Sequence, residues 1–100
     1  MDPRIDLIIE NLREVYDPEI PVNIYDLGLV YSVDIEGEEA KVLMTLTAPN
    51  CPATDMILAD VEYMVKKVEG VESCKVEITF DPPWEKSMMS EEARLELGFM

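Results

Sequence analysis

The chain of 100 residues contains no histidine, and its only cysteines are Cys51 and Cys74. Without histidine the chain cannot build a Ser-His-Asp or Cys-His catalytic group, or a histidine metal site, from its own residues. Two cysteines are too few for a disulfide framework, so we expect reduced thiols and a cytoplasmic protein. The four glycines are isolated from one another, which excludes a phosphate-binding loop and a dinucleotide fingerprint.

Basic residues are also scarce: eight lysines and arginines stand against 22 acidic residues, for a net charge of −14. A surface of this charge repels phosphate backbones and anionic lipids, so we expect neither a nucleic-acid nor a membrane partner. No apolar run approaches the length of a membrane span, and no signal-peptide pattern opens the sequence. With 48% hydrophobic residues, the chain is expected to fold as a single domain over residues 1–100.

The first 28 residues predict a helix followed by an ordered loop. Asp2-Pro3 is typical of a helix start, and apolar residues then recur at helical spacing as far as Tyr16. The helix is expected to end there because Pro18 disfavours helical geometry at the residue before it. Residues 17–28 contain two prolines but also several large apolar side chains, which favours an ordered loop packed on the core.

The rest of the chain predicts a two-layer α/β sandwich. Alternating apolar residues indicate strands, a long apolar stripe indicates a second helix, and Ser90 is the expected cap of a short third helix. The element order is helix-strand-strand-helix-strand-helix. A tight turn makes the first two strands antiparallel, and the helical connection permits the third to be parallel to the second. This order gives a small mixed three-stranded sheet with helices packed on one face. The predicted strands cover residues 29–36, 42–46 and 74–80, and the predicted second and third helices cover residues 52–68 and 91–97.

The segment from Thr47 to Asp55 holds the best candidate for a functional residue. Pro52 suits the first position of the second helix, which would make Cys51 its N-cap. The partial positive charge of a helix N-terminus favours the thiolate, so Cys51 is expected to be a reactive thiol on a rigid turn. Cys74 is in register with Val76 and is interpreted as a buried core cysteine.

Four stretches of the sequence together resemble one known family. They are Asp17-Pro18-Glu19-Ile20-Pro21, Asp26-Leu27-Gly28-Leu29-Val30-Tyr31, Thr47-Ala48-Pro49-Asn50-Cys51-Pro52 and Phe80-Asp81-Pro82-Pro83-Trp84. In this order they resemble the PaaD-like/SufT family of small iron–sulfur assembly domains, over nearly the whole chain. The resemblance implies the same α/β fold and a role in the cytosolic maturation of iron–sulfur proteins. An extra cysteine-rich C-terminal segment, found in one branch of that family, is absent here.

By motif matching, the resemblance assigns a shared polar cluster to Asp17, Glu19, Thr47 and Cys51. Cys51 is then expected to contact a cluster or iron transiently, with Asp17 and Glu19 as further metal ligands. Asp26, Asn50, Pro52 and Trp84 are expected to line the same motifs, with Trp84 closing the edge of the core.

An iron–sulfur cluster normally takes four protein ligands, most of them thiolates. A monomer of this chain is therefore not expected to hold a stable cluster. The remaining ligands would come from a homodimer, or from an iron–sulfur scaffold or client protein. A simple adaptor between scaffold and client would need no cluster contact.

The leading hypothesis is thus a maturation factor that is not an enzyme. A second hypothesis is a thiol-dependent enzyme with Cys51 as nucleophile and Asp17 or Glu19 as base, although carboxylates of ordinary pKa are poor bases for a thiol. A third is a pure protein-interaction module in which Cys51 has no role.

Overall fold

The computed structural model describes residues 2–17, 20–46 and 54–98 of the chain. Helix α1 spans Pro3–Leu12, and the Asp2 carboxylate caps it by accepting a 3.0 Å hydrogen bond from the Arg4 N–H. The predicted start of this helix is therefore confirmed. No helix within the described ranges is long and apolar enough to cross a bilayer.

The predicted end of α1 at Tyr16 is wrong, because the helix ends at Leu12. The chain beyond Arg13 pairs instead with the following loop. The Val15 carbonyl accepts a 2.9 Å hydrogen bond from the Ile24 N–H, and Tyr16 forms an antiparallel bridge with Asn23. This tertiary pairing leaves the Tyr16 side chain 50% exposed.

The sheet has the predicted three strands in the order β1-β2-β3, with β1 at Val30–Glu36, β2 at Glu39–Met44 and β3 at Ser73–Ile78. Strands β1 and β2 are antiparallel, whereas β2 and β3 are parallel. The turn between β1 and β2 consists of Gly37 and Glu38, with φ of +63° at Gly37. A positive φ at the first turn position is what a two-residue hairpin requires, and glycine adopts it without strain.

Helix α2 is described over Thr54–Lys66 and helix α3 over Glu91–Leu97. The predicted beginning of α2 at Pro52 lies outside the described residues. Ser90 caps α3 as predicted, because its hydroxyl oxygen accepts a 3.1 Å hydrogen bond from the Ala93 N–H. A single 3₁₀ turn at Lys86–Met88, which has no periodic signal in the sequence, precedes this cap.

Helices α1 and α2 cover one face of the sheet and lie antiparallel to each other. The Arg4 guanidinium donates a 2.7 Å hydrogen bond to the Gly70 carbonyl beyond the end of α2, and the Asn11 amide donates a 2.9 Å bond to the Met64 carbonyl. The start of α1 therefore lies beside the chain just beyond α2, and the last turn of α1 lies beside Met64, in the last turn of α2. The core between these layers is made of fully or almost fully buried side chains, among them Ile8, Leu12, Ile24, Leu27, Leu29, Val42, Met44, Ile57, Val61 and Val65.

Two positions depart from the predicted alternation. A bulge between Val30 and Ser32 takes Tyr31 out of register, and the Tyr31 hydroxyl donates a 2.8 Å hydrogen bond to the Pro82 carbonyl. Phe80, predicted to face the core, lies beyond the end of β3 and is 44% exposed. Neither the bulge nor the strand end can be predicted from the neighbouring sequence, because both depend on pairing with the partner strand.

Two distant segments approach each other closely at Gly28, whose φ is +83°. A Cβ atom at this position would overlap the backbone carbonyl group of Met88. The C-terminal segment is therefore seated directly on the backbone of the loop that precedes β1.

Gly28→Ala is expected to lower the free energy of unfolding by about 2–4 kcal/mol, since it combines a left-handed backbone with an overlap against backbone atoms. Gly37→Ala is the matched control, because its φ is also positive but nothing lies within 4 Å of the added Cβ. That variant should lose only about 1–2 kcal/mol. Denaturant titration of both variants checks the difference, and equal losses would contradict the packing of Met88 on Gly28.

Candidate functional site

The described parts of the segments that carry the sequence motifs converge at one end of the sheet. Parallel strands end at the same edge, so the chain that follows β2, described as far as Leu46, leaves the sheet where residues 79–84 leave β3. The loop at 20–29 enters β1 at that same end, because β1 is antiparallel to β2. Two backbone hydrogen bonds tie the three segments together: the Thr45 N–H donates to Leu29 O over 2.8 Å, and the Thr79 N–H donates to Met44 O over 2.9 Å.

Asp17 lies at this end and is only 4% exposed. It directly follows Tyr16, which bridges to the loop, and its backbone carbonyl accepts a 3.0 Å hydrogen bond from the Ile20 N–H. The structure thus places Asp17 beside the loop at 20–29, at the end of the sheet where the described chain leaves β2 and β3.

The remaining members of the predicted cluster are outside the described residues: Glu19, Thr47, Asn50, Cys51 and Pro52. Their roles as cluster contact, metal ligands or motif-lining residues stay predictions. Within residues 2–17, 20–46 and 54–98, no group of three carboxylates or thiols is placed to hold a metal ion.

Asp26 is engaged in a turn. Its Oδ2 accepts a 2.9 Å hydrogen bond from the Asn23 side-chain amide, and its backbone N–H donates a 2.9 Å bond to Asn23 Oδ1. The Arg13 guanidinium lies 4.0 Å from Asp26 Oδ1 and stacks 5.2 Å from the centre of the Tyr25 ring. These contacts fix the shape of the loop ahead of β1. The roles of Asn23 and Arg13 in this loop are not among the predictions from the sequence.

Trp84 is partly buried against the core, and its indole N–H donates a 2.7 Å hydrogen bond to the Leu27 carbonyl. The segment around it, residues 79–90, forms a strap across this end of the sheet. Further contacts of the strap are the Tyr31–Pro82 hydrogen bond, the approach of Met88 to Gly28, and a 2.8 Å bond from the Ser90 N–H to Asp26 O. The strap therefore holds the loop that carries the second sequence motif.

Cys74 is half-buried on β3 and packs against the core in register with Val76 and Ile78. Burial raises the pKa of its thiol to about 11, and the nearby Glu62 carboxylate adds to the effect. A thiol of this pKa is protonated at neutral pH and is a poor nucleophile or metal ligand. The interpretation of Cys74 as a structural residue fits this environment, although the side chain is less buried than predicted.

Several curated proteins are similar to this chain, among them the following three. A protein of Porphyromonas gingivalis named Fe-S protein maturation auxiliary factor is 60% identical, over 93% of this chain and 90% of the relative. The Fe-S protein maturation auxiliary factor SufT of Staphylococcus aureus is 39% identical, over 84% and 97% respectively. An iron-sulfur cluster carrier protein of Synechocystis is 35% identical over 83% of this chain, but the match spans only 24% of that longer protein.

Among solved structures, the domain of unknown function DUF59 from Bacillus anthracis has the same fold, with a TM-score of 0.89 and 36% identity over 97% of this chain and 93% of that one. The predicted α/β arrangement is therefore confirmed, as is the resemblance to the PaaD-like/SufT family. The family model described as iron-sulfur cluster assembly protein matches residues 5–78, which include β1, β2, α2 and β3. The chain belongs to the iron–sulfur cluster assembly protein family.

Proposed function

We propose that this protein is a cytoplasmic, non-enzymatic maturation factor that passes iron or an iron–sulfur cluster to client proteins through Cys51. The observation that carries the proposal is the match of the assembly-family model to residues 5–78. It is supported by the 60% identity, over nearly both lengths, to a relative named as a maturation auxiliary factor. Relatives of this chain are named maturation factors or carriers, and none of those described above is named as an enzyme.

The environment of Cys74 supports the assignment of the reactive thiol to Cys51. With a pKa of about 11, Cys74 offers almost no thiolate near neutral pH, and the chain contains only one other cysteine. In the sequence, Cys51 belongs to the connection between β2 and α2. We place Asp17 and Glu19 beside it as oxygen ligands that assist the cargo during transfer.

The cargo must be shared between proteins, because a cluster normally needs four ligands and this chain has one thiolate to offer. An iron–sulfur scaffold or the client protein would supply the remaining thiolates. The cluster or iron is therefore a substrate that this protein holds only briefly before transfer.

A second candidate is an adaptor that brings scaffold and client together without touching the cluster. The Synechocystis relative favours it, since the stretch similar to this chain is about a quarter of a longer carrier protein. In such a protein the small domain can select partners while another part of the chain carries the cargo.

Anaerobic reconstitution with iron and sulfide, in the presence of an apo-ferredoxin as client, distinguishes these functions. Wild type should accelerate cluster formation on the ferredoxin. Cys51→Ser should reduce that acceleration at least tenfold, because serine is a poor ligand for iron at neutral pH, while the matched Cys74→Ser should match wild type within about twofold.

Two results would redirect the proposal. If Cys51→Ser transfers as fast as wild type, Cys51 does not contact the cargo and the adaptor remains. If neither protein accelerates transfer, and both fail to bind the scaffold or the client, the maturation function itself is wrong. Absorbance of the ferredoxin cluster and calorimetric binding of the partners give the two readouts separately.

The pKa of Cys74 predicts how the two thiols react with iodoacetamide. In the Cys51→Ser variant the alkylation rate should rise about tenfold per pH unit from pH 7 to 10, since the thiolate fraction keeps growing until the pH reaches about 11. At pH 7 this rate should be roughly a hundredfold below that of an unperturbed thiol with a pKa of about 8.5. In the Cys74→Ser variant only Cys51 can react. If the alkylation rate of the Cys51→Ser variant stops rising near pH 9, the raised pKa of Cys74 is contradicted.

A further inference from the structure

Strand β1 is an edge of the sheet, since the strand order is β1-β2-β3 and β1 pairs only with β2. Among the described residues, no backbone group of Val30–Glu36 bonds to any other segment. A seven-residue edge strand, whose outward-facing backbone groups have no partner within the described residues, is a template for another strand, and proteins usually cover or interrupt such edges.

The hairpin determines which groups are free. In a two-residue turn the flanking pair, here Glu36 and Glu39, exchanges both hydrogen bonds, and bonded pairs then alternate along the strand. The N–H and C=O groups of Val33 and Ile35 therefore point away from β2. They offer two donors and two acceptors at the spacing of an extended chain.

Two grooves flank this edge, one on each face of the sheet. On the helix side, a groove of about 330 Å³ is lined by Ile5, Ile9 and Tyr25 together with β1. On the opposite side, beyond the bulge at Tyr31, a groove of about 580 Å³ is lined by Leu43, Pro82, Met88 and others. Val30 and Tyr31 line both grooves, and Leu43 alternates with the buried Val42 and Met44, so the second groove is on the sheet face away from the helices.

We propose that β1 is a docking edge for an extended, basic and apolar segment of a partner protein, which adds to the sheet as a fourth strand. Successive side chains of a strand point to opposite faces, so alternate residues of the segment would reach the two grooves. In this mode of recognition the backbone bonds supply affinity and the side-chain grooves supply specificity. The surface goes beyond the proposed transfer function, because it uses neither thiol of the chain.

The negative charge of the protein favours a basic segment as the occupant of this edge. The protein carries a net charge of −14, and the β1 residue Asp34 is exposed. A lysine-rich or arginine-rich strand is attracted to such a surface, and complementary charge also speeds encounter. A second copy of this chain would bring its own −14 to the same edge, which disfavours pairing of two β1 strands.

The test uses a fluorescein-labelled octapeptide of alternating lysine and valine, with iron absent. Binding should slow hydrogen exchange of the Val33 and Ile35 amides by about tenfold or more at saturation, because these N–H groups become hydrogen-bonded. A peptide of alternating glutamate and valine should give no protection. The lysine–valine peptide with N-methyl groups on every second amide should bind at least tenfold more weakly, as measured by fluorescence anisotropy.

A pair of variants separates the edge from the core. Val33→Pro removes the free N–H at a position where proline is tolerated, and should weaken peptide binding at least tenfold. Val33→Ala shortens the same side chain but keeps the N–H, and should bind within about twofold of wild type. Cluster transfer to the apo-ferredoxin, which involves no recognition by this peptide, should be unchanged in Val33→Ala, so the two proposals fail independently.

Three outcomes would overturn the proposal. Peptide binding without protection of Val33 and Ile35 would place the docking surface elsewhere. Equal binding of the N-methylated peptide would show that no strand is added. A dimer by light scattering, with both amides already protected in the peptide-free protein, would assign the edge to a second copy of the chain.

Discussion

The parallel pairing of β2 with β3 is the constraint on which the arrangement of this molecule depends. It forces the segments that follow both strands to leave the sheet at the same end, and the Thr79–Met44 hydrogen bond extends the pairing beyond β3. The antiparallel hairpin then brings the start of β1 to that end as well. These two pairings bring together the described parts of motifs that are dozens of residues apart in the sequence.

The opposite end of the sheet is held by different chemistry. Arg4 donates hydrogen bonds to the carbonyls of Gly37 and Gly70, at 2.9 and 2.7 Å, and pairs with Asp2. The Asp2 pKa falls to about 2 because it accepts hydrogen bonds from Arg4, so the pair stays charged throughout the neutral range. One arginine thus connects the start of α1, the hairpin turn and the chain beyond α2, all at the end of the sheet opposite the motifs.

The elements of the fold could be predicted from the sequence because each has a local cause. Asp2-Pro3 and Ser90 start helices, alternation marks the strands, and Gly37 marks the tight turn, although the turn is one residue shorter than the predicted Gly37-Glu38-Glu39. The predicted end of α1 is wrong for a tertiary reason. Val15 and Tyr16 pair with the loop, so the helix ends before the position at which a proline at 18 is expected to stop it.

The candidate site could be predicted only in part. Asp17 reaches the motif end, but the engagement of Asp26 by Asn23 and Arg13 depends on a loop conformation that no periodicity encodes. The overlap that excludes a side chain at Gly28 involves Met88, sixty residues away. The sequence motifs contain Asp17, Asp26 and Gly28, whereas only the folded chain shows that Asn23, Arg13 and Met88 are their neighbours or contacts.

The strap has a consequence for how this family can diverge. Most of its contacts end on backbone carbonyls: those of Leu27, Pro82, Asp26 and Met88. A backbone acceptor is present whatever side chain its residue bears, so most positions of the strap are free to change without loss of these contacts. The constrained residues are those that supply a side-chain donor or the missing Cβ, which are Tyr31, Trp84 and Gly28, and those such as Met89 whose side chain is buried in the core. Exposed residues of the strap can therefore be substituted to suit new partners while the loop beneath the strap keeps its shape.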